Sequence, residues 1–491
     1  MKREDKFDFP DDWLKLTFDD VFLLINQKSF LKTRRNIDLS IQIKNLKLNL
    51  PILWANMSTV MDWNFAKYLA LMWWMWVLHQ NCEIQEQVDE VQKVKKYASP
   101  IISNPIVISE NTTVKEIKEI FNEHAIGAVL ITENNILKWI ISKRDIASAD
   151  WDYELAKDLM TNFENLHHIK SNNLNIDISQ WEYNLKKSKV EQLPIINDKQ
   201  ELIWLFTRKW LDFYKTFPNA SRDSNSNLVV AAAVWVNREP IKRASKLLEA
   251  GIDMLVLDTA HWYNARFLET LKELRNAFPD VLLAAWNIDN PDAAIEFAKA
   301  WADILKVWIW PWWACKTRVQ TWFGKPQLSA IWDIRQALDA NWYFDIKIIA
   351  DWWIKQAWNL AKAISVWASF AMMWSIFAWT DKAVWQIRNI DGKLYKDYRW
   401  MASFKESLKA NALTWIENDK YWPIFDEWAD DIIPYKGDWS FFNIMREFHG
   451  SLASSFSYAN ANSIDDFYKK TRLGKQTISW NLEWSPWKFK N

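Results

Sequence analysis

Over residues 227–385, short and almost unbroken apolar runs alternate with stretches of helical periodicity. The runs at 228–234, Met254–Asp258, 281–285, Ile304–Val307, 348–351 and Phe370–Met373 lack the every-second-residue polarity of a half-exposed strand. They read as strands covered on both faces, the mark of a parallel sheet. Between them, 240–250, Ala265–Ala277, 292–300, 328–340 and Ala357–Ser365 place apolar residues three and four apart, which predicts helices with one packed face. Two further strands at 51–55 and 77–79 flank a predicted helix over Trp63–Leu71 and complete eight. The pattern predicts an α/β chain folded as a (β/α)8 barrel, with its chemistry at the C-terminal strand ends. A doubly wound open sheet is the alternative, and no glycine-rich fingerprint with a ribose-binding acid supports it.

Residues 97–212 break this rhythm with an internal repeat. Leu137-Lys138-Trp139-Ile140-Ile141-Ser142-Lys143-Arg144 returns as Leu202-Ile203-Trp204-Leu205-Phe206-Thr207-Arg208-Lys209, each copy after an apolar strand and an amphipathic helix. The tandem resembles a CBS-domain pair, which implies an adenine or guanine nucleotide as its ligand; a purely structural insertion that binds nothing is the other reading. The expected organisation is therefore a first barrel segment at 1–96, the repeat pair at 97–212, and the rest of the barrel with a mobile flap and C-terminal segment at 213–491.

Composition changes this picture at one point. The chain holds 37 Trp and only 7 Gly in 491 residues, whereas about 7% Gly, roughly 34 residues, is usual. The tryptophans crowd strand-to-helix turns such as Asp351-Trp352-Trp353-Ile354, Trp310-Pro311-Trp312-Trp313 and Met373-Trp374-Ser375, where glycine is the expected punctuation. Most of them are therefore expected to be glycine in the protein as its cell makes it, through a UGA codon read as Gly; a truly tryptophan-rich protein is the alternative, and Trp-Trp pairs in tight turns give it no steric rationale. Lys+Arg and Asp+Glu are equal at 61, so no basic surplus points to nucleic acid or an anionic membrane. Two cysteines, Cys82 and Cys315, are too few for a disulfide framework and fit a reducing cytoplasm. The charged start Met1-Lys2-Arg3-Glu4-Asp5 is not a signal peptide, and the six His show no metal-ligand spacing.

Cys315 follows the Ile304–Val307 strand in a loop that reads GIGPGGACKTR once glycine is restored, next to Lys316 and Arg318, whose charge favours the thiolate. Together with Leu16-Thr17-Phe18-Asp19-Asp20, Ala55-Asn56-Met57-Ser58, Asp258-Thr259-Ala260-His261-Trp262, Ala285-Trp286-Asn287, Ala350-Asp351-Trp352-Trp353 and Tyr398-Arg399-Trp400-Met401-Ala402, this loop resembles the IMP dehydrogenase/GMP reductase family over nearly the whole chain. The resemblance implies a barrel with a CBS insertion, a homotetramer, and purine nucleotide oxidoreduction with a nicotinamide dinucleotide. It implies that Cys315 attacks C2 of the bound purine. Asp351 would accept the ribose hydroxyls. Ser375, Tyr398 and backbone N–H groups at Trp353 and Trp374 would hold the phosphate, which requires glycine at 353 and 374. Asn56, Met401 and Ala402 would meet the nucleotide, Asp258 and Asn287 the nicotinamide riboside. In the family's dehydrogenases a monovalent cation such as K+ sits on loop carbonyls, here Trp310, Trp312 and Cys315.

The direction of the reaction turns on the segment after Met401. IMP dehydrogenases carry an Arg-Tyr pair there to activate water, and this chain has no arginine between Arg399 and Arg446. GMP reductases use a Thr two residues after the cysteine with a Glu, and Thr317 and Glu427 fit. The expected activity is GMP reduction with NADPH. The alternatives are IMP dehydrogenation with NAD+ and, in another class, a catalytically silent CBS nucleotide sensor. Lys316, where the family has Thr, and the flap at 404–421 depart from both enzyme patterns.

Overall fold

The computed structural model describes residues 15–56, 63–97, 99, 101–102, 105–123, 127–133, 135–159, 161–162, 166–170, 178–259, 263–308, 321–351, 354, 356–373, 376, 380, 387–398, 431–434, 440–477 and 479–480. Contacts divide the chain into two units. One comprises Met1–Lys95, Asn219–Ser224 and Leu228–Asn491; the other comprises Lys96–Pro218 and Asn225–Asn227.

The first unit is a closed barrel of eight parallel strands: β1 (Ile52–Trp54), β2 (Met75–Leu78), β3 (Ala231–Trp235), β4 (Met254–Asp258), β5 (Leu283–Ile288), β6 (Ile304–Val307), β7 (Lys347–Asp351) and β8 (Phe370–Met373). Closure runs through β8 and β1, with Ala371 opposite Ile52 and Met373 opposite Trp54, and through β2 and β3, with Ala231 opposite Val77. Helices α1 (Trp63–Leu71), α2 (Ile84–Lys96), α3 (Pro240–Glu249), α4 (Ala265–Ala277), α5 (Pro291–Lys299), α6 (Gln327–Ala340), α7 (Ala357–Ser365) and α8 (Phe441–Tyr458) belong to the same unit. Strands such as β3, β4 and β8 are almost fully buried, which is why their sequences run apolar without alternation. A hairpin of Ile41–Ile43 and Leu46–Leu48 precedes β1, and Val21–Leu24 pairs antiparallel with Arg472–Lys475. There a Cβ on Gly474 would lie 2.7 Å from the Phe22 ring, so any side chain would displace that ring.

Helix ends carry the clearest signal about the tryptophans. In α3 the cap residue Gly251 has φ +92, its N–H donates to Leu248 O, and the next N–H, of Ile252, donates to Leu247 O. This is the left-handed Schellman ending that favours glycine or asparagine. Asn460 closes α8 in the same way. Trp73, Trp301, Trp342 and Trp367 occupy the same position after α1, α5, α6 and α7, with φ of 80, 62, 67 and 68 and the same pair of hydrogen bonds. Trp322 is a fifth left-handed tryptophan, at φ 65. A bulky L-residue in this region is an outlier.

The second unit holds two β–α–β–β–α repeats. The first runs through Val107–Ile108, Val114–Glu123, Ala128–Glu133, Ile136–Ser142 and Lys143–Ile146; the second through Ile169–Lys170, Ile178–Ser188, Gln192–Ile196, Leu202–Thr207 and Arg208–Thr216. Ser142 and Thr207 cap the last helix of each copy, and only the first completes a capping box, with Asp145 where the second copy has Trp210. A shared core of Leu130, Leu137, Leu166, Ile196, Leu202 and Leu205 joins the copies.

Candidate active site

The C-terminal ends of the barrel strands gather a set of polar side chains that the apolar strands otherwise exclude. Asp258, the last residue of β4, accepts from Asn56 Nδ2 at 2.8 Å and from Asn287 Nδ2 at 3.2 Å, so both carboxylate oxygens are held. Asn287 reaches it from a bulge. The β5–β6 register shifts between Ala285 and Ile288, and Asn287 sits there at φ 70. Asparagine tolerates that conformation, and bulges re-aim side chains beside active sites. Its amide also donates to Thr259 O at 2.6 Å, while its own Oδ1 is buried without a hydrogen-bond partner among the described residues.

Gln80, just past β2, donates to the Asp258 carbonyl at 3.5 Å, and its Oε1 is likewise a buried acceptor without a partner. Leaving such groups unmatched is unfavourable by about 1–3 kcal/mol each. Two amide oxygens at the mouth therefore suit a ligand rich in N–H and O–H donors, such as a carboxamide or a ribose. The residues present fit a nicotinamide riboside.

Asp351 ends β7. Its Oδ2 is 2.5 Å from Lys306 Nζ on β6, and both side chains are 6% exposed. The ammonium lies 4.1 Å from the centroid of the Trp286 ring. The ammonium offsets the loss of hydration of the buried carboxylate. Trp286 and Trp76 carry buried indole N–H groups without an acceptor among the described residues, which is again unfavourable for tryptophan and absent for glycine. Gln327, opening α6, donates to Val307 O at 2.6 Å and so fixes the end of β6 from which the Cys315 loop departs.

Of the residues singled out in the sequence, the structure brings Asn56, Asp258 and Asn287 into one hydrogen-bonded cluster and places Asp351 at the end of β7. Tyr398 ends the strand Lys393–Tyr398, which pairs with Ile387–Ile390 and Asp431–Pro434. Cys315, Thr317, Glu427, Trp310, Trp312, Trp353, Trp374, Ser375, Met401 and Ala402 lie outside the described residues. The sequence reading missed Lys306 and Gln80. Lys306 had a usable signal, a cation inside the otherwise apolar strand Ile-Leu-Lys-Val, because a buried Lys is almost always paired. It also missed Gln87 of α2, which donates to His79 O and Ala233 O at 3.0 Å and accepts from Arg243 of α3 at 2.7 Å, tying the ends of β2 and β3 together.

Among the described residues, no cluster of His, Cys, Asp and Glu could hold a metal ion, and no helix is long and apolar enough to cross a membrane. Residues 15–486 match the family model for the IMP dehydrogenase / GMP reductase domain. Inosine-5'-monophosphate dehydrogenase from Aquifex aeolicus is 32% identical over 468 residues, 95% of this chain and 93% of the relative, and that from Staphylococcus aureus is equally similar over 94% and 93%. GMP reductase from Trypanosoma brucei, solved in complex with guanosine 5'-monophosphate, superposes with a TM-score of 0.84 at 28% identity, covering 97% of this chain and 98% of that one. The same enzyme solved with guanosine 5'-triphosphate gives 0.75 at 27%, covering 96% and 99%. With its closed barrel and its match across nearly all its length, this chain belongs to the IMP dehydrogenase/GMP reductase family of purine nucleotide oxidoreductases, which use a nicotinamide dinucleotide.

Proposed function

We propose that the chain is a GMP reductase, converting GMP, NADPH and two protons to IMP, ammonium and NADP+. The observation that carries this reading is the segment between Arg399 and Arg446, which has no arginine to activate water but supplies Glu427, with Thr317 two residues beyond Cys315. Cys315 Sγ bonds to C2 of the purine, and the 2-amino group leaves as ammonia with protons handled by Thr317 and Glu427, a task suited to a carboxylate. Bound NADPH supplies the hydride for C2, after which the C–S bond breaks and the thiol is free again.

Asp351, steadied by Lys306, accepts the ribose hydroxyls. Ser375, Tyr398 and the N–H groups at 353 and 374 take the phosphate, while Met401, Ala402 and Asn56 contact the nucleotide. Asp258 and Asn287 orient the nicotinamide riboside, with the free Asn287 Oδ1 as acceptor. The tryptophans at 312, 353 and 374 are glycine in the native protein in this reading, because the purine needs room beside the Cys315 loop and phosphate oxygens must approach the amides at 353 and 374 closely. The left-handed caps at 73, 301, 342 and 367 support the same exchange elsewhere in the chain. The repeat pair takes an adenine or guanine nucleotide, and the assembly is a cytoplasmic homotetramer.

IMP dehydrogenation with NAD+, with K+ on the carbonyls of 310, 312 and 315, is the second reading, favoured by the names of the relatives at 32% identity. Following reduced-cofactor absorbance with GMP plus NADPH, and separately with IMP plus NAD+, tests the two. Turnover of only the first pair is expected, and turnover of only the second overturns the proposal.

A further inference from the structure

The ionised Asp258 carboxylate, the Asp258 carbonyl and the Thr259 carbonyl can only accept hydrogen bonds, and three side-chain amides turn their N–H groups toward them. Asn56 and Asn287 donate to the carboxylate, Asn287 donates also to Thr259 O, and Gln80 donates to the Asp258 carbonyl. These partners fix which way Asn287 and Gln80 face. An amide turned end for end would set its oxygen against another oxygen, so Asn287 Oδ1 and Gln80 Oε1 are the ends not spent on Asp258. The two residues are only 6% and 5% exposed, and neither oxygen has a hydrogen-bond partner among the described residues. A buried acceptor left unmatched is unfavourable, so each calls for a ligand donor.

We propose that Gln80 Oε1 accepts an N–H of the nicotinamide carboxamide and so sets the orientation of the pyridine ring. This assignment rests on the reading of Asp258 and Asn287 as riboside contacts. Asn287 is the amide that also holds the Asp258 carboxylate, so its unmatched oxygen goes with the ribose hydroxyls. Gln80 meets the same residue at its main chain, from just past the end of β2. Its oxygen is left for the other donor group of the riboside, the carboxamide NH2. Orientation matters because the carboxamide marks one edge of the ring, and holding that edge decides which part of the ring lies over the purine. A nicotinate ring carries a carboxylate there instead, which would bring negative charge against an acceptor oxygen beside Asp258. The same array therefore selects the amide over the acid.

Calorimetric binding to the full chain tests this in a Cys315→Ala background saturated with IMP, where bound dinucleotide cannot react. The probes are NAD+ or NADP+, whichever binds more tightly, its thionicotinamide analogue, which keeps the NH2, and its acetylpyridine analogue, which has a methyl group there. The acetylpyridine analogue is expected to bind about tenfold more weakly than the parent, as the loss of one net hydrogen bond implies. The thio analogue should bind about as well as the parent. Gln80→Met, close in shape but without the acceptor, should weaken the parent about tenfold and leave the acetylpyridine analogue nearly unmoved, bringing the two to parity. Gln80→Leu serves if that variant does not fold. Asn287→Ala should weaken both alike and keep the gap. Parity in the chain that retains Gln80, or a gap that survives Gln80→Met, overturns the assignment while Asp258 and Asn287 keep their roles. Binding of neither dinucleotide overturns the riboside reading itself, and the assignment with it.

Discussion

Glycine at positions 301 and 342 should make this chain more stable, although each substitution removes an entire indole. Both tryptophans hold φ near +65, at 62 and 67, a conformation that is unfavourable for an L-residue by about 1–2 kcal/mol. Glycine removes that strain but adds unfolded-state freedom worth about 0.5–1 kcal/mol, which leaves a net gain of about 0.5–1 kcal/mol per site. Little packing is lost, because Trp301 is 74% and Trp342 81% exposed. Trp342 keeps one edge-to-face contact with Phe344 at 5.9 Å, so Trp301→Gly should give the larger gain. The caps follow different helices and should add, to about 1–2 kcal/mol for the pair. Urea unfolding of the barrel measures this as a higher midpoint at unchanged slope. Gly251→Ala, at φ +92, serves as the converse control and should lose stability. A destabilised Trp301→Gly chain, or an indifferent Gly251→Ala one, refutes the reading of these caps as glycine positions.

Four further outcomes follow from the site. Lys306→Met strands the buried Asp351 carboxylate and should lower stability by about 3–5 kcal/mol, with part of that loss recovered in the Lys306→Met/Asp351→Asn double variant; thermal and denaturant unfolding read both. Asn287→Ala frees one Asp258 oxygen and should lower kcat/KM for the nicotinamide cofactor about tenfold, equivalent to about 1.4 kcal/mol, with mononucleotide binding unchanged. Cys315→Ala should abolish turnover while GMP still binds in calorimetry, because the thiol serves as nucleophile and not as anchor. Glu427→Gln should slow ammonia release by about 10²–10⁴-fold in single-turnover measurements, and an unchanged rate assigns that proton transfer elsewhere.

The barrel was legible because its strands are covered on both faces and their sequences say so. Met254–Asp258, Ile304–Val307, Phe370–Met373, Ala265–Ala277 and Ala357–Ser365 end where the patterns predict. The boundaries that moved have local causes. The run at 228–234 starts as a strand only at Ala231, because Leu228 bridges Arg222 and Val229 N–H donates to Ser221 O, in the return from the inserted unit. The run at 281–285 extends to Ile288 through the bulge that carries Asn287, and a bulge leaves no trace in hydrophobic periodicity. The run at 77–79 shifts to Met75–Leu78, where Trp76 interrupts the pattern. Short pairings such as Val21–Leu24 with Arg472–Lys475 join residues too far apart in sequence to be read from either alone. At the site, Asp258, Asn287 and Asp351 were expected from the family resemblance, whereas Gln80 emerges only from what it touches at the end of β4.

Peptide mapping by mass spectrometry of the protein purified from the cells that naturally make it distinguishes glycine from tryptophan at positions 312, 353 and 374. Peptides lighter by the indole side chain are expected at each of the three, which leaves bare backbone for a nucleoside monophosphate beside Cys315. Tryptophan in those peptides refutes the reading, because no purine nucleotide could then seat there.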